Sequence, residues 1–302
     1  MDTNEPNILA SELADELRNF HEIATYLKPS SGDVPIVPGI AIAGRSIPLR
    51  KLAGGDHIIY LDFNKRYKLD RRIERAVRKE RLEVAEKLRE LKGRAGILLA
   101  DVSGHRMTDA LLAAMLHQAF LTGAYYELDR YGEITTRLFE HINTRFYRTT
   151  AVSKYFTMLY GEILERGRFR FISAGHQPPA VFSREFGRFA KLDPRTITSF
   201  PPVGMLPSTF GVDEDADETF VGKKRYQVNE LSLLSPGDIL LLMTDGLVEH
   251  GDGKFFEERL EPLFQEMVDH PAAEIVERIE KELLEFAAPE DDISFVVIQR
   301  TK

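Results

Sequence analysis

Apolar runs with helical spacing alternate along this chain with shorter runs rich in β-branched and aromatic residues, and several of the short runs end abruptly in aspartate. These two observations predict a layered α/β fold whose strand ends gather at one rim. A third observation limits the chemistry. The 302 residues include no cysteine, so a disulfide framework, a thiolate zinc site and a cysteine nucleophile are all excluded. The length exceeds the usual single domain of about 100 to 200 residues, but a large two-sheet fold can use about 250 as one unit.

Taken in order, residues 8–27 place Leu9, Leu13, Leu17, Phe20, Ile23 and Leu27 at intervals of three and four, the stripe of an amphipathic helix that Pro29 stops. Ile36, Ile40 and Ile42 then lead into extended structure interrupted by prolines. A turn at Gly54-Gly55 precedes Asp56, and HIIYLDF reads as a strand. Residues 64–94 carry 13 Lys+Arg and 6 Asp+Glu, with Leu69, Ile73, Val77, Val84, Leu88 and Leu91 at near-helical intervals. The expectation is one long, basic helix supported by Glu74/Arg78, Glu83/Lys87 and Glu90/Arg94 pairs. Its first reading is a solvated helix held by a narrow apolar stripe, and its alternative is a docking or dimerising surface.

GILLADV is an apolar strand ending near Asp101, after which TDALLAAMLHQAFLTGAYYEL and ITTRLFEHINTRFYR read as helices. YFTMLYGEIL and RFRFISA flank Glu165-Arg166-Gly167 as a hairpin, PPAVFS continues the sheet, and GDILLLMTDG is a strand ending in Asp245-Gly246. Two helices, FEERLEPLFQEMV and AAEIVERIEKELLEFA, precede Asp291-Asp292 and the closing strand ISFVVIQR. Residues 199–230 are the least regular part and read as a flap-like loop, either a surface insertion or a substrate contact.

Composition excludes further classes. With 40 Lys+Arg against 48 Asp+Glu the net charge is −8, which argues against a general nucleic-acid binder. No apolar run reaches the roughly 18 to 20 residues of a spanning helix, and the acidic N-terminus is unlike a signal peptide. A cytoplasmic protein with no membrane partner is expected. None of the eight histidines falls in an HExxH zinc pattern.

Four aspartates sit where an apolar strand meets a polar turn: Asp56 in GGDHIIY, Asp101 in LLADVSG, Asp245 in LLMTDGL and Asp291 in PEDDISFVVI. One such residue would read as a turn or helix cap. Four crowded at one rim would repel one another unless cations neutralised them, and oxygen-only ligation favours Mg²⁺ or Mn²⁺ over zinc. Two ions about 3.5 to 4 Å apart can share a water, lower its pKa and aim it at phosphorus.

GGD at 54–56, LLADVSGH at 98–105, YFTMLYGEI at 155–163, AGHQPP at 174–179, LSPGDILLLMTDGLVE at 234–249 and DDISFVVI at 291–298 together resemble the PPM family of metal-dependent phosphatases. These are the protein phosphatase 2C-like enzymes, and the likeness is to their bacterial branch that controls sigma factors, sporulation and stress signalling. The resemblance implies an α-β-β-α sandwich of two mainly antiparallel sheets flanked by helices, over about residues 28–302, with 1–27 as a helical linker. It implies two Mn²⁺ or Mg²⁺ ions, with Asp101 bridging, Asp245 and Asp291 on one ion, and Asp56 and the Val102 carbonyl on the other. Asp292 would support its neighbour. The implied reaction is hydrolysis of phosphoserine or phosphothreonine on a regulatory protein, for example an anti-sigma-factor antagonist, with no protein nucleophile. Control would come from a homodimer or a separate partner through 8–27 or 64–94.

The chain departs from the family pattern at three places. Arg106 stands where relatives carry a second glycine, and reads either as outward-pointing or as a residue that binds phosphate or narrows access. Asp62 lies further from Asp56 than the usual GGDxxD spacing, which weakens an accessory role for it. Lys51 lies near where relatives place a phosphate-binding arginine and reads first as a surface lysine. The letters GGD also occur in diguanylate cyclases, but His57-Ile58 follow here and nothing else along the chain fits. The remaining rival is a catalytically silent relative that binds a phosphoprotein.

Overall fold

The computed structural model describes residues 11–16, 18, 19, 22, 32–49, 54–102, 107–149, 155–208, 224–233 and 235–301. Two sheets form its middle. One has the order β1 (Ile40–Ile47), β11 (Ile293–Arg300), β10 (Ile239–Met243), β6 (Ala180–Ser183), β7 (Arg188–Phe189). The other runs β2 (His57–Asp62), β3 (Arg94–Val102), β4 (Phe156–Leu164), β5 (Arg168–Ala174), β8 (Ser199–Phe200), with β9 (Asn229–Ser232) also on β5. Every named pairing is antiparallel except β5 with β8.

The layering follows from period-two alternation in strands that are buried on both faces. Ile58, Tyr60, Ile97, Leu99, Leu240, Leu242, Val296 and Ile298 meet between the sheets. Their neighbours Ile59, Leu61, Leu98 and Ala100 point the other way, under helices. On the far side Leu241, Met243, Phe295 and Val297 pack beneath a second helical layer. The result is the four-layer α-β-β-α arrangement expected above.

The first helical layer contains α1 (Phe63–Tyr67), α2 (Leu69–Arg78), α3 (Leu82–Glu90), α4 (Met107–Tyr131) and α5 (Thr136–Thr149). On α4, Ala110, Ala113, Leu116, Phe120, Ala124 and Leu128 are buried, a stripe at helical spacing. The second layer contains α6 (Asp245–Val248), α7 (Glu261–Met267), entered through a π-helical turn at Phe255–Leu260, and α8 (Ala272–Phe286).

The single helix expected over 64–94 is instead three short ones. Lys68 (φ 50°) separates α1 from α2, and Glu80 (φ 55°) separates α2 from α3. Periodicity alone cannot register such breaks, because a reversal that returns the apolar stripe to the same core leaves the spacing nearly intact. Leu69, Ile73, Ala85, Leu88 and Leu91 all reach one core, while Val77 stays 42% exposed. Much of the basic charge is used within the fold. Arg72 and Arg75 pair with Asp129, and Lys87 pairs with Glu133 at 2.8 Å. Of the expected helical pairs, Glu83–Lys87 and Glu90–Arg94 form.

Asp62 caps α1, accepting a hydrogen bond from the Lys65 amide at 3.0 Å, a capping role that accounts for its place in the sequence. In the expected N-terminal helix, 11–16, 18, 19 and 22 are helical and exposed, and its other residues lie outside the described ones. The expected flap at 199–230 contributes β8 and the start of β9 to the β5 edge, and residues 209–223 lie outside the described ones. Among the described residues no helix is long and apolar enough to cross a membrane.

Candidate metal centre

The antiparallel register of β2 on β3 pairs His57 with Ala100, so one further step sets Asp56 against Asp101. Both lie at the same edge of one sheet. From the other sheet, β10 ends at Met243 and is followed by Thr244 and Asp245, while Asp291 and Asp292 immediately precede β11. Topology therefore gathers at one rim what lies far apart in sequence.

Asp56 is buried, and its Oδ2 accepts a hydrogen bond from the Thr244 hydroxyl at 2.8 Å. Thr244 in turn accepts from the Ser294 amide at 3.0 Å. One hydroxyl thus ties the start of β2 to the end of β10 and to β11. Sequence reasoning missed Thr244, although it stands beside Asp245 in the quoted motif. Asp292 is also buried, and its carboxylate accepts from the amides of Leu49 (2.8 Å) and Gly55 (2.7 Å). It therefore anchors the stretch that presents Asp56, while its own amide donates to Asp291 Oδ1 at 2.8 Å.

Electrostatics show how close these groups are. Burial, then the charge of Asp101, holds Asp56 well above the ordinary carboxyl range, with Asp292 adding to the rise. Asp101 is pushed up to about 7, first by burial and then by the charges of Asp245, Asp291 and Asp292. Asp245 is raised by burial and next by Asp291. The neighbouring Asp56 carboxyl offsets part of the rise at Asp101. Asp56 Oδ1 is buried without any donor among the described residues.

A site of this kind fits a divalent cation. Its donors are all oxygen, their charges repel, and one buried oxygen lacks a partner. The side chains are not arranged as a finished cage, since among the described residues no three His, Asp or Glu converge closely enough to hold an ion. Mutual repulsion of the carboxylates opposes their convergence. The five expected ligand positions fall as follows: Asp56, Asp101, Asp245 and Asp291 share the rim, and Val102 is fully buried as the last residue of β3. Lys51 and Arg106 lie outside the described residues.

Three histidines support the rim. Thr157, opposite Asp101 in the β3–β4 register, bonds His176 Nδ1 through its hydroxyl at 2.8 Å. Burial lowers His176 to about 3, so it stays neutral near pH 7. His57 Nε2 and His117 Nδ1 meet at 2.8 Å, joining the residue after Asp56 to α4, and burial lowers His117 to about 4.

Gly246 has no room for a side chain, because a methyl group there would fall on the backbone carbonyl of buried Asp292. Since that neighbour is backbone, Gly246→Ala is expected to cost about 2 to 3 kcal/mol, read as a lower urea midpoint at unchanged slope.

A sandwich of two sheets under helices, with one rim of acidic side chains drawn from both sheets, defines the chain as a protein of the PP2C fold. Residues 92–301 match the Stage II sporulation protein E (SpoIIE) family, and the chain belongs to that family. Phosphoserine phosphatase RsbP of Bacillus subtilis (strain 168) is 29% identical over 189 residues, which are 62% of this chain and 40% of RsbP. Phosphoserine phosphatase RsbU of the same organism is 25% identical over 209 residues, 68% of this chain and 55% of RsbU. The chain therefore spans only 40% to 55% of these relatives' lengths. The SiaA-PP2C domain of Pseudomonas aeruginosa shares the fold, with a TM-score of 0.60 at 15% identity over 97% of this chain and 99% of that one.

Proposed function

We propose that the chain is a metal-dependent phosphoserine/phosphothreonine protein phosphatase that removes phosphate from a regulatory protein in bacterial signalling. The observation that carries this reading is the rim itself: buried Asp56 with an unserved oxygen faces Asp101, whose carboxyl is raised by Asp245, Asp291 and Asp292. The names of RsbP and RsbU, both phosphoserine phosphatases, support the substrate class.

Asp101 would lie between two Mn²⁺ or Mg²⁺ ions, with Asp245 and Asp291 on one side and Asp56 with the Val102 carbonyl on the other. Ions bound there supply charge neutralisation for the phosphoryl oxygens and a water acidic enough to attack phosphorus at neutral pH. The chain's own contribution is to hold the ligands. Thr244 fixes Asp56 across the two sheets, Asp292 fixes the stretch before it, and neutral His176 braces Thr157 beside Asp101. The substrate we favour is a phosphorylated anti-sigma-factor antagonist, with control through 8–27 or the helices between 64 and 94.

The alternative, a silent phosphoprotein-binding relative, draws on the lack of a finished three-ligand cage among the described residues. Hydrolysis of p-nitrophenyl phosphate and of a phosphoserine peptide separates the two. Manganese-dependent turnover, lost on chelation and in Asp101→Ala, is the expected result. Turnover by the wild type no greater than by Asp101→Ala would leave the silent relative standing.

A further inference from the structure

The pole of the sandwich opposite the carboxylate rim holds a second charged feature of the opposite sign. Seven residue steps along β3 separate Arg94 from Asp101, about 23 Å along an extended strand. At the Arg94 end lies an open cavity of about 930 Å³, walled by the end of α3, the β4–β5 turn and the last residue of β11. Arg89, Lys92, Arg94, Arg166, Arg168 and Arg300 line it, against only two carboxylates, Glu90 and Glu165. In a chain of net charge −8 this concentration of guanidinium groups runs against the average.

The pairing of these cations shows which are already used. Arg94, whose side chain is 10% exposed, is held by Glu90 (2.6 Å) and Glu162 (3.1 Å), yet its buried Nε has no acceptor among the described residues. Lys92 reaches Asp70 at 2.5 Å, and Arg168 stands 3.9 Å from Glu230. Arg300 gives Nη1 to the Leu233 carbonyl at 2.8 Å. Arg89 and Arg166, both exposed, make no ion pair among the described residues. They come from different elements, α3 and the hairpin turn, and face one cavity. Like charges brought together repel, a cost that a bound anion would remove.

We propose that this cavity is a binding site for a small, multiply phosphorylated anion. Arginine forks take phosphate oxygens in pairs, and an opening this large accommodates a chain of phosphate groups better than one. The lining includes Leu164 and Leu233 but no aromatic ring, so no aromatic side chain stacks a nucleobase there, and the phosphates themselves are what is recognised. A ligand so placed would tie β11 of one sheet to the β4–β5 turn of the other, and would stabilise the fold by mass action.

The test uses the full chain in chelator, so that metal at the distant rim plays no part. Inorganic triphosphate is titrated by calorimetry and by thermal melts. One site per chain and a rising melting temperature are expected, with affinity falling steeply as salt is added. Arg89→Ala/Arg166→Ala changes two exposed side chains, leaves the fold intact by circular dichroism, and is expected to weaken binding about tenfold or more for each guanidinium removed. Asp101→Ala is expected to bind as the wild type does. No binding, or undiminished binding in the double variant, would overturn the site. ATP binding more than about tenfold tighter than triphosphate would overturn recognition by phosphate alone, and citrate binding as tightly would overturn phosphate as the class.

Discussion

Asp101→Asn is expected to make the metal-free protein more stable while abolishing its activity. In the wild type this carboxyl is raised to about 7, against an ordinary value near 4. A raised carboxyl binds more protons in the folded state than in the unfolded state between those values. Stability is therefore lost as pH rises from about 4 to 7 and stays lost above it. The difference bounds the effect at about 4 kcal/mol, and a neutral side chain in its place should recover roughly half, since Asn keeps the volume but not the repulsion.

His176 and His117 act with the opposite sign. Their folded values of about 3 and about 4 lie below the ordinary value near 6.5, so the stability of their neutral forms is complete above 6.5 and is lost as pH falls. The histidines are common to wild type and Asp101→Asn, so the difference between their urea titrations in chelator isolates the carboxyl: it should widen from about pH 4 to about pH 7 and level off above. Manganese reverses the order. Saturating ion is expected to raise the wild-type melting temperature, with about 2.7 kcal/mol at a hundredfold excess over the dissociation constant, and to leave the variant unmoved. Phosphatase turnover should fall roughly a hundredfold or more. A variant that loses activity and stability together would identify Asp101 as a structural residue instead.

Asp292→Ala tests the support of the same rim. Two effects compete there. Removing a buried charge relieves Asp56 and Asp101, both of which Asp292 raises. The same change strips the amides of Leu49 and Gly55 of their acceptor, each such bond to a charged group being worth about 1.5 to 3 kcal/mol. The bonds should win, with a net loss of roughly 2 kcal/mol in urea unfolding and a large fall in turnover as the stretch before Asp56 loses its anchor. Asp292→Asn keeps one acceptor oxygen and should recover part of the stability. Equal stability of Asp292→Ala and wild type would show that the two amides find other partners.

These residues mark how much could be read in one dimension. Asp56, Asp101, Asp245 and Asp291 were legible because each ends or precedes an apolar strand, a local signal. Asp292 looked like a neighbour's support, and its amide does contact Asp291, but its main bonds reach Leu49 and Gly55, more than two hundred residues earlier. Thr244 carried no signal of its own, because a threonine before a turn is ordinary. The helices between 64 and 94 misled for a related reason: hydrophobic spacing survives a reversal of direction, and only backbone at Lys68 and Glu80 with positive φ reveals the breaks.

The sequence by itself determined the strands, the alternation that buries both faces of each sheet, the absence of thiol chemistry and the aspartates at strand ends, since all of these depend on residue type and near-neighbour spacing. Tertiary structure alone decided that the four aspartates share one rim, where neighbouring carboxylates raise Asp56, Asp101 and Asp245, that Thr244 and Asp292 hold Asp56 in place, and that the arginines of α3 and the β4–β5 turn face one cavity at the opposite pole. The physical reason is the same in each case. Electrostatic coupling and hydrogen bonding depend on separation through space, which the register and stacking of two sheets set.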